Sequence, residues 1–163
     1  MTPAANILVL GVGNTLMRDD GVGVRLMQLL ASTQPPLPGV EYLDAGTLSF
    51  LLLPLIETCT ALLVLDAARL EAEPGAMRCL EGLAMDEFLR TGRCSVHEVG
   101  MRDLLDIARL TGHLPERRAF IGIQPHQVGW GDELSPAVSL ALPAAVRTAR
   151  ELIAGWCVQT VDP

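Results

Sequence analysis

The strongest constraint on the fold lies in the opening stretch. A β-type apolar run, Ile7-Leu8-Val9-Leu10, leads into Gly11-Val12-Gly13-Asn14 and on to Asp19-Asp20-Gly21-Val22-Gly23. From there apolar residues fall at Val22, Leu26, Leu29 and Leu30, the i, i+4, i+7, i+8 spacing of an amphipathic helix. A strand, a glycine turn and a helix start in that order belong to a parallel α/β sheet, whose ligands gather at the carboxyl edge. The glycines suit a phosphate loop. The paired aspartates do not, because a pyrophosphate needs bare backbone N–H groups and a positive helix end. Two adjacent carboxylates at that place attract a cation.

The rest of the chain continues the alternation. Strand 1 is expected over Asn6 to Leu10, with a helix from Asp20 that stops before Gln34-Pro35-Pro36. A short strand, Val40 to Leu43, leads to Asp44-Ala45-Gly46-Thr47, and a helix follows over Leu48 to Glu57. Ala61-Leu62-Leu63-Val64-Leu65 reads as a strand covered on both faces and ends at Asp66. Further strands are expected over Met77 to Glu81 and Ala119 to Ile123, with helices over Met101 to Leu110 and Leu142 to Ala154, the last with Pro143 in its first turn. The fold class is therefore α/β: three layers, α/β/α, around a twisted, mostly parallel sheet of about five strands. With 163 residues, half of them hydrophobic and 19% charged, residues 1–163 are expected to form one domain around a real core.

Charge and patterning narrow the function. A net charge of −7 disfavours nucleic acid and anionic membranes as partners. The apolar run Leu51 to Ile56 is far too short to cross a bilayer. No secretory signal is evident at the start of the chain, so the cytoplasm is the expected compartment, and a monomer is expected. Cys59, Cys79, Cys94 and Cys157 show no Cys-x-x-Cys pair, which excludes zinc-ribbon and thioredoxin readings. A Gly-x-Ser-x-Gly elbow is absent. Cys94 lies three residues before His97, but neighbours in sequence do not make a catalytic pair. Gly11-x-Gly13 matches half of a dinucleotide fingerprint, yet its third glycine position is Leu16.

Carboxylates and histidines remain. Asp19 and Asp20 both suit the start of a helix, where aspartate is stabilising. One cap is enough, so Asp19 is assigned to capping and Asp20 is left open. In a 2-1-3 strand order, strands 1 and 3 are neighbours, and Asp20 and Asp66 meet at one crevice. The plain alternative for Asp66, and for Asp44, is a carboxylate accepting local backbone N–H bonds, with Thr47 suited to a turn bond near Asp44. His113, beside Gly112, reads as a helix C-terminal cap, and His126 fits either role. His97 lies in the connection before the Met101 helix and can reach the same edge. Two carboxylates and an imidazole form an N/O set suited to zinc, nickel or similar ions, although they lie 46 and 31 residues apart.

Taken in order, several blocks resemble the endopeptidases that mature [NiFe]-hydrogenase large subunits. They are Ile7 to Asn14 with Asp19 to Arg25, Asp44-Ala45-Gly46-Thr47, Leu65-Asp66-Ala67, and Ser95 to Gly100. Gly122-Ile123-Gln124-Pro125, Trp130-Gly131 and Leu134-Ser135-Pro136 add a fifth. The resemblance spans about Ile7 to Leu152. It implies that Asp20, Asp66 and His97 contact metal, with aspartate at a position where the family often has glutamate, and alanine at Ala45 where glycine is common. It also implies an endopeptidase that cuts a C-terminal extension from a large-subunit precursor once nickel is inserted. The nickel then arrives with the substrate, and zinc or cadmium substitutes in vitro. Asp44 is the expected catalytic or orienting residue. The competing expectations are a metallohydrolase holding its own zinc at the same three residues and a Rossmann-like cofactor-binding module.

Overall fold

The computed structural model describes residues 6–46, 48–91 and 96–158, with 96–99 described by their backbone alone. Thr47, Cys94 and Ser95, and the side chains of His97 and Glu98, lie outside the described residues.

The chain runs β1 (Ile7–Val12), a 3₁₀ turn (Asp19–Gly21), α1 (Val22–Ser32), β2 (Val40–Gly46), a 3₁₀ turn (Phe50–Leu52) and α2 (Leu53–Thr58). It continues through β3 (Ala61–Ala67), β4 (Met77–Glu81), α3 (Leu83–Arg90), α4 (Val96–Leu110), β5 (Arg117–Ile123) and α5 (Pro136–Val158). The five strands form one sheet in the order β2-β1-β3-β5-β4. Its first four strands are mutually parallel and β4 is antiparallel to β5. The chain leaves β1 in one direction to reach β2 and returns on the other side as β3, so the topological reversal lies between β1 and β3, as the sequence predicts.

The strand residues alternate between two cores, following the period-2 geometry of an extended chain. Ile7, Val9, Leu63, Leu65 and Ile121 face α1 and α5. Leu8, Leu10, Leu62, Val64 and Phe120 face α2, α3 and α4. β1 and β3 are buried throughout, whereas the edge strand β2 is only partly covered. Among the described residues no helix is long and apolar enough to cross a membrane.

Close backbone approach locks α1 to the sheet. A Cβ on Gly23 would lie 2.2 Å from the Leu65 carbonyl oxygen and 2.5 Å from that of Val12. Both are ladder atoms that cannot yield, so α1 reaches β3 only because this residue has no side chain.

Several element boundaries differ from the sequence expectation. α3 was not anticipated, because its inward face carries an aspartate, Asp86, among Met85, Phe88 and Leu89. α4 begins at Val96 rather than Met101, so His97 lies in a helix rather than a connection. Gly100, which resembles a boundary, is the point where α4 approaches Leu48, whose Cβ would lie 3.3 Å from an added Cβ. α5 starts at Pro136, which places Pro143 inside it rather than in its first turn. The end of α4 is as expected: Gly112 takes φ +76° and the His113 N–H donates to the Ala108 carbonyl at 2.8 Å, a Schellman closure.

Asp86 is satisfied by a fork of cations at the amino edge of the sheet. Arg118 donates to both carboxylate oxygens, at 2.9 and 2.7 Å, and Arg109 adds a third bond at 3.0 Å. Arg109 also bonds Asp106 at 2.6 Å. The Arg118 hydrogen bonds hold the Asp86 carboxyl below its ordinary range, against the opposing effect of burial.

Gly23→Ala should lose about 3 kcal/mol of stability in urea unfolding, while Gly155→Ala, an α5 position with nothing within 4 Å of the new Cβ, should gain about 0.7 kcal/mol. Asp86 binds its proton less readily in the folded than in the unfolded chain, so its stabilisation is complete above the ordinary carboxylate value of 3.8 and is lost as pH falls through the lower folded value. Asp86→Asn should cost about 3 kcal/mol at pH 7 and flatten this part of the acid-unfolding profile.

Candidate functional site

The loop after β1 closes on itself. The Asn14 N–H donates to Asp20 Oδ2 at 2.9 Å, and Asn14 Oδ1 accepts from the Leu16 N–H at 2.9 Å. Gly13 takes φ +125°, and a Cβ there would meet the Asp20 carbonyl oxygen at 1.9 Å, so the loop cannot fold this way with any larger residue. The Asn14 N–H, which a phosphate would need, is already bonded to a carboxylate. This local geometry, with Leu16 exposed at the third glycine position, argues against the dinucleotide reading.

Asp66 occupies the facing side of the crevice. It is the sixth residue of β3, pairs in register with Gly122 of β5, and is 2% exposed. Its Oδ1 accepts the Ala67 N–H at 2.8 Å. The 3₁₀ turn bearing Asp20 packs against β3, so the two carboxylate-bearing segments lie together at the carboxyl edge. Asp44 lies near the end of β2, opposite Gly11 and on the far side of β1 from Asp66. It is exposed, and its Oδ1 accepts the Gly46 N–H at 2.9 Å. His97 is the second residue of α4. Among the described residues no three His, Cys, Asp or Glu side chains gather as a metal-binding group, and the His97 side chain lies outside them.

Asp19 is the residue that sequence reasoning misplaced. It does not cap its own helix: neither the 3₁₀ turn nor α1 has a side-chain cap. Its carboxylate is fully buried and accepts four bonds from the far end of the chain. The N–H groups of His126 and Gln127 reach Oδ2 at 2.9 and 2.8 Å, the Ser135 N–H reaches Oδ1 at 2.7 Å, and the Ser135 hydroxyl reaches Oδ2 at 2.8 Å. Burial alone would raise its pKa, but these four donors outweigh burial and lower it. Ser135 immediately precedes α5, and its carbonyl accepts the Ser139 N–H. Asp19 therefore places its charge at the N-terminus of a helix 116 residues away in sequence. Ladder-like bonds support the same joint: Arg18 N–H to the Gly131 carbonyl at 2.8 Å and Gly131 N–H to the Leu16 carbonyl at 3.0 Å. The sequence signal was available in the Leu134-Ser135-Pro136 block, a serine followed by proline at a helix start, but nothing in it named the partner.

Gln124 fixes a third loop, its Oε1 accepting the Leu70 N–H after β3 at 2.7 Å. The rim of this edge is apolar and exposed: Leu16 after β1, Phe50 and Leu51 after β2, Val128 and Trp130 after β5, with Trp130 80% exposed. A cleft of about 50 Å³ between the loop after β2 and α4 is lined by Leu48, Ser49, Phe50, Gly100 and Leu104. A wider depression, about 480 Å³, lies at the opposite edge beside Glu81, Arg117 and Arg118, and holds none of the candidate residues.

Comparison with known proteins agrees with the architecture. The family model for hydrogenase maturation proteases matches residues 24–152. The chain is 36% identical over 157 residues to the hydrogenase expression/formation protein HupD of Rhizobium leguminosarum bv. viciae, covering 96% of this chain and 78% of that protein. It is 33% identical over 141 residues to the hydrogenase 2 maturation protease of Escherichia coli K12, covering 86% and 85%. The solved hydrogenase maturating endopeptidase HybD of E. coli superposes with a TM-score of 0.83 at 29% identity, covering 91% of this chain and 92% of that one. The [NiFe] hydrogenase maturation protease HybD of Thermococcus kodakarensis superposes at 0.76 with 30% identity, covering 90% and 98%.

The exposed position of Asp44, one strand away from Asp66, sets an expectation for its variants. Asp44→Asn keeps the oxygen that accepts the Gly46 N–H, so its unfolding free energy should stay within about 0.5 kcal/mol of the parent. Nickel titration should likewise change little, while peptide cleavage falls. Complete loss of metal binding in this variant would make Asp44 a direct ligand instead.

Proposed function

This chain belongs to the hydrogenase maturation protease family, hydrolases of peptide bonds, and from that premise we propose that it removes a C-terminal extension from the nickel-loaded precursor of a [NiFe]-hydrogenase large subunit. The observation that carries this reading is the placement of Asp20 and Asp66 on either side of the reversal between β1 and β3. His97, at the start of α4, is the third member of the proposed set. Oxygen and imidazole donors suit a borderline divalent ion such as nickel, and zinc or cadmium would occupy the same set in vitro.

In this reading nickel is part of the substrate. When present it supplies Lewis-acid polarisation of the scissile carbonyl or a more acidic water. The protein's own residues do the selecting. Asp20 and Asp66 present negative charge to the crevice, which repels a precursor lacking the cation and attracts one that carries it. That is discrimination by a difference in affinity. Asp44, in the neighbouring strand, orients the peptide or a ligand. The exposed apolar rim at Leu16, Phe50, Leu51 and Trp130 suits a polypeptide substrate better than a small molecule. The protein is proposed to act as a cytoplasmic monomer.

The decisive experiment incubates the purified protein with a nickel-loaded precursor and with a verified nickel-free precursor. The loaded form should be cut and the free form left intact, and free nickel added to the enzyme should not substitute for insertion. Efficient cleavage of the nickel-free form would refute the metal check. Stoichiometric zinc surviving extensive chelation would replace it with a resident-metal hydrolase.

A further inference from the structure

We propose that Asp19 is the positioning residue of this site: it fixes the turn that carries Asp20, packed against β3 and hence near Asp66, by fastening the loop after β1 to the start of α5. The inference rests on the reading of Asp20 and Asp66 as the metal-contacting pair.

Asp19 and Asp20 are consecutive in a 3₁₀ turn of three residues. One peptide bond joins their Cα atoms, so the orientation of one constrains the other. Asp19 points inward to its four donors, and Asp20 points back to the Asn14 N–H. The turn is thus pinned at two carboxylates facing different ways. An apolar contact could join the same segments, but it would not fix their rotation. Hydrogen bonds are directional and dispersion contacts are not. Four bonds of 2.7–2.9 Å to one carboxylate define both the azimuth and the depth of the turn. Burying a charge is costly unless it is hydrogen-bonded, and here the donors come from the loop after β5 and the residue that opens α5. The comparison within this molecule is Asp86, another buried carboxylate, which sits at the amino edge and is bonded by Arg118 and Arg109.

Three variants of the full chain test the assignment: Asp19→Asn, Ser135→Ala and Asp86→Asn. Each is studied at a temperature where circular dichroism reports a folded protein. Asp19→Asn keeps a carbonyl oxygen for the Ser135 N–H but turns an amide NH₂ towards the N–H groups of His126 and Gln127. Nickel affinity is measured by calorimetry, with Asp20→Ala as the blank for ions held elsewhere. The values of kcat and KM are measured on nickel-loaded precursor. Asp19→Asn is expected to lower both nickel affinity and kcat at least tenfold, with KM for the nickel-loaded precursor rising as the nickel contact weakens. Asp86→Asn, destabilised to a similar degree, should leave all three within twofold. If Asp19→Asn fails to fold, Ser135→Ala decides, because it removes only one donor. It should lower nickel affinity and kcat about threefold, and parental values would overturn the proposal. So would parental values in folded Asp19→Asn, equal losses in Asp86→Asn, or no Asp20-dependent nickel binding by the parent. A parent that cuts no precursor, yet binds nickel in an Asp19-dependent way, would defeat the proposed function and leave the positioning role standing.

Discussion

The buried carboxylate of Asp19 is the interaction on which the carboxyl edge of this protein depends. Parallel α/β sheets build their sites from loops that arrive from distant parts of the chain, and such loops need a reason to keep a fixed relation. Here the loop after β1 and the segment before α5 share one anion. Its four donors offset the cost of removing a charge from water, and its place before α5 adds a favourable interaction with the helix dipole. Gly13 and Gly23 let the surrounding backbone come close enough for the joint to form. The 3₁₀ turn, the loop after β5 and the entry of α5 meet at this contact.

Much of the architecture was legible in the sequence because its signals are local. The continuous apolar run at Ala61–Leu65 marks a strand buried on both faces, and Gly112-His113 marks a helix end. The adjacency of β1 and β3 follows from the common order of such sheets. What escaped detection was non-local. α3 carries Asp86 on its buried face, and that face reads as apolar only once Arg118 and Arg109 are known to neutralise it. The start of α4 was hidden by Gly100, a glycine at which the helix passes close to the Leu48 side chain rather than one that reverses the chain.

The candidate site divides in the same way. Asp20 and Asp66 could be placed from strand order, and Asp44 falls one strand away for the same reason. Asp19 was assigned to the nearest helix because capping is a short-range rule, whereas its carboxylate serves a helix more than a hundred residues later. An adjacent aspartate pair therefore contains two unlike members: one tied to its own loop and one tied to the other end of the chain. Nothing in the spacing separates them. Burial and partner geometry do.

The charged network around Asp86 lies at one edge of the sheet, and the exposed rim of Leu16, Phe50, Leu51, Val128 and Trp130 lies at the other. A hydrophobic sheet stands between them. Changes to the rim need not disturb the ion network, and changes to the network need not reshape the rim. The surface that a polypeptide would meet at the rim and the ion pairs that steady the opposite edge are therefore separable, and the rim is free to change shape while the scaffold keeps the same thermodynamic foundation.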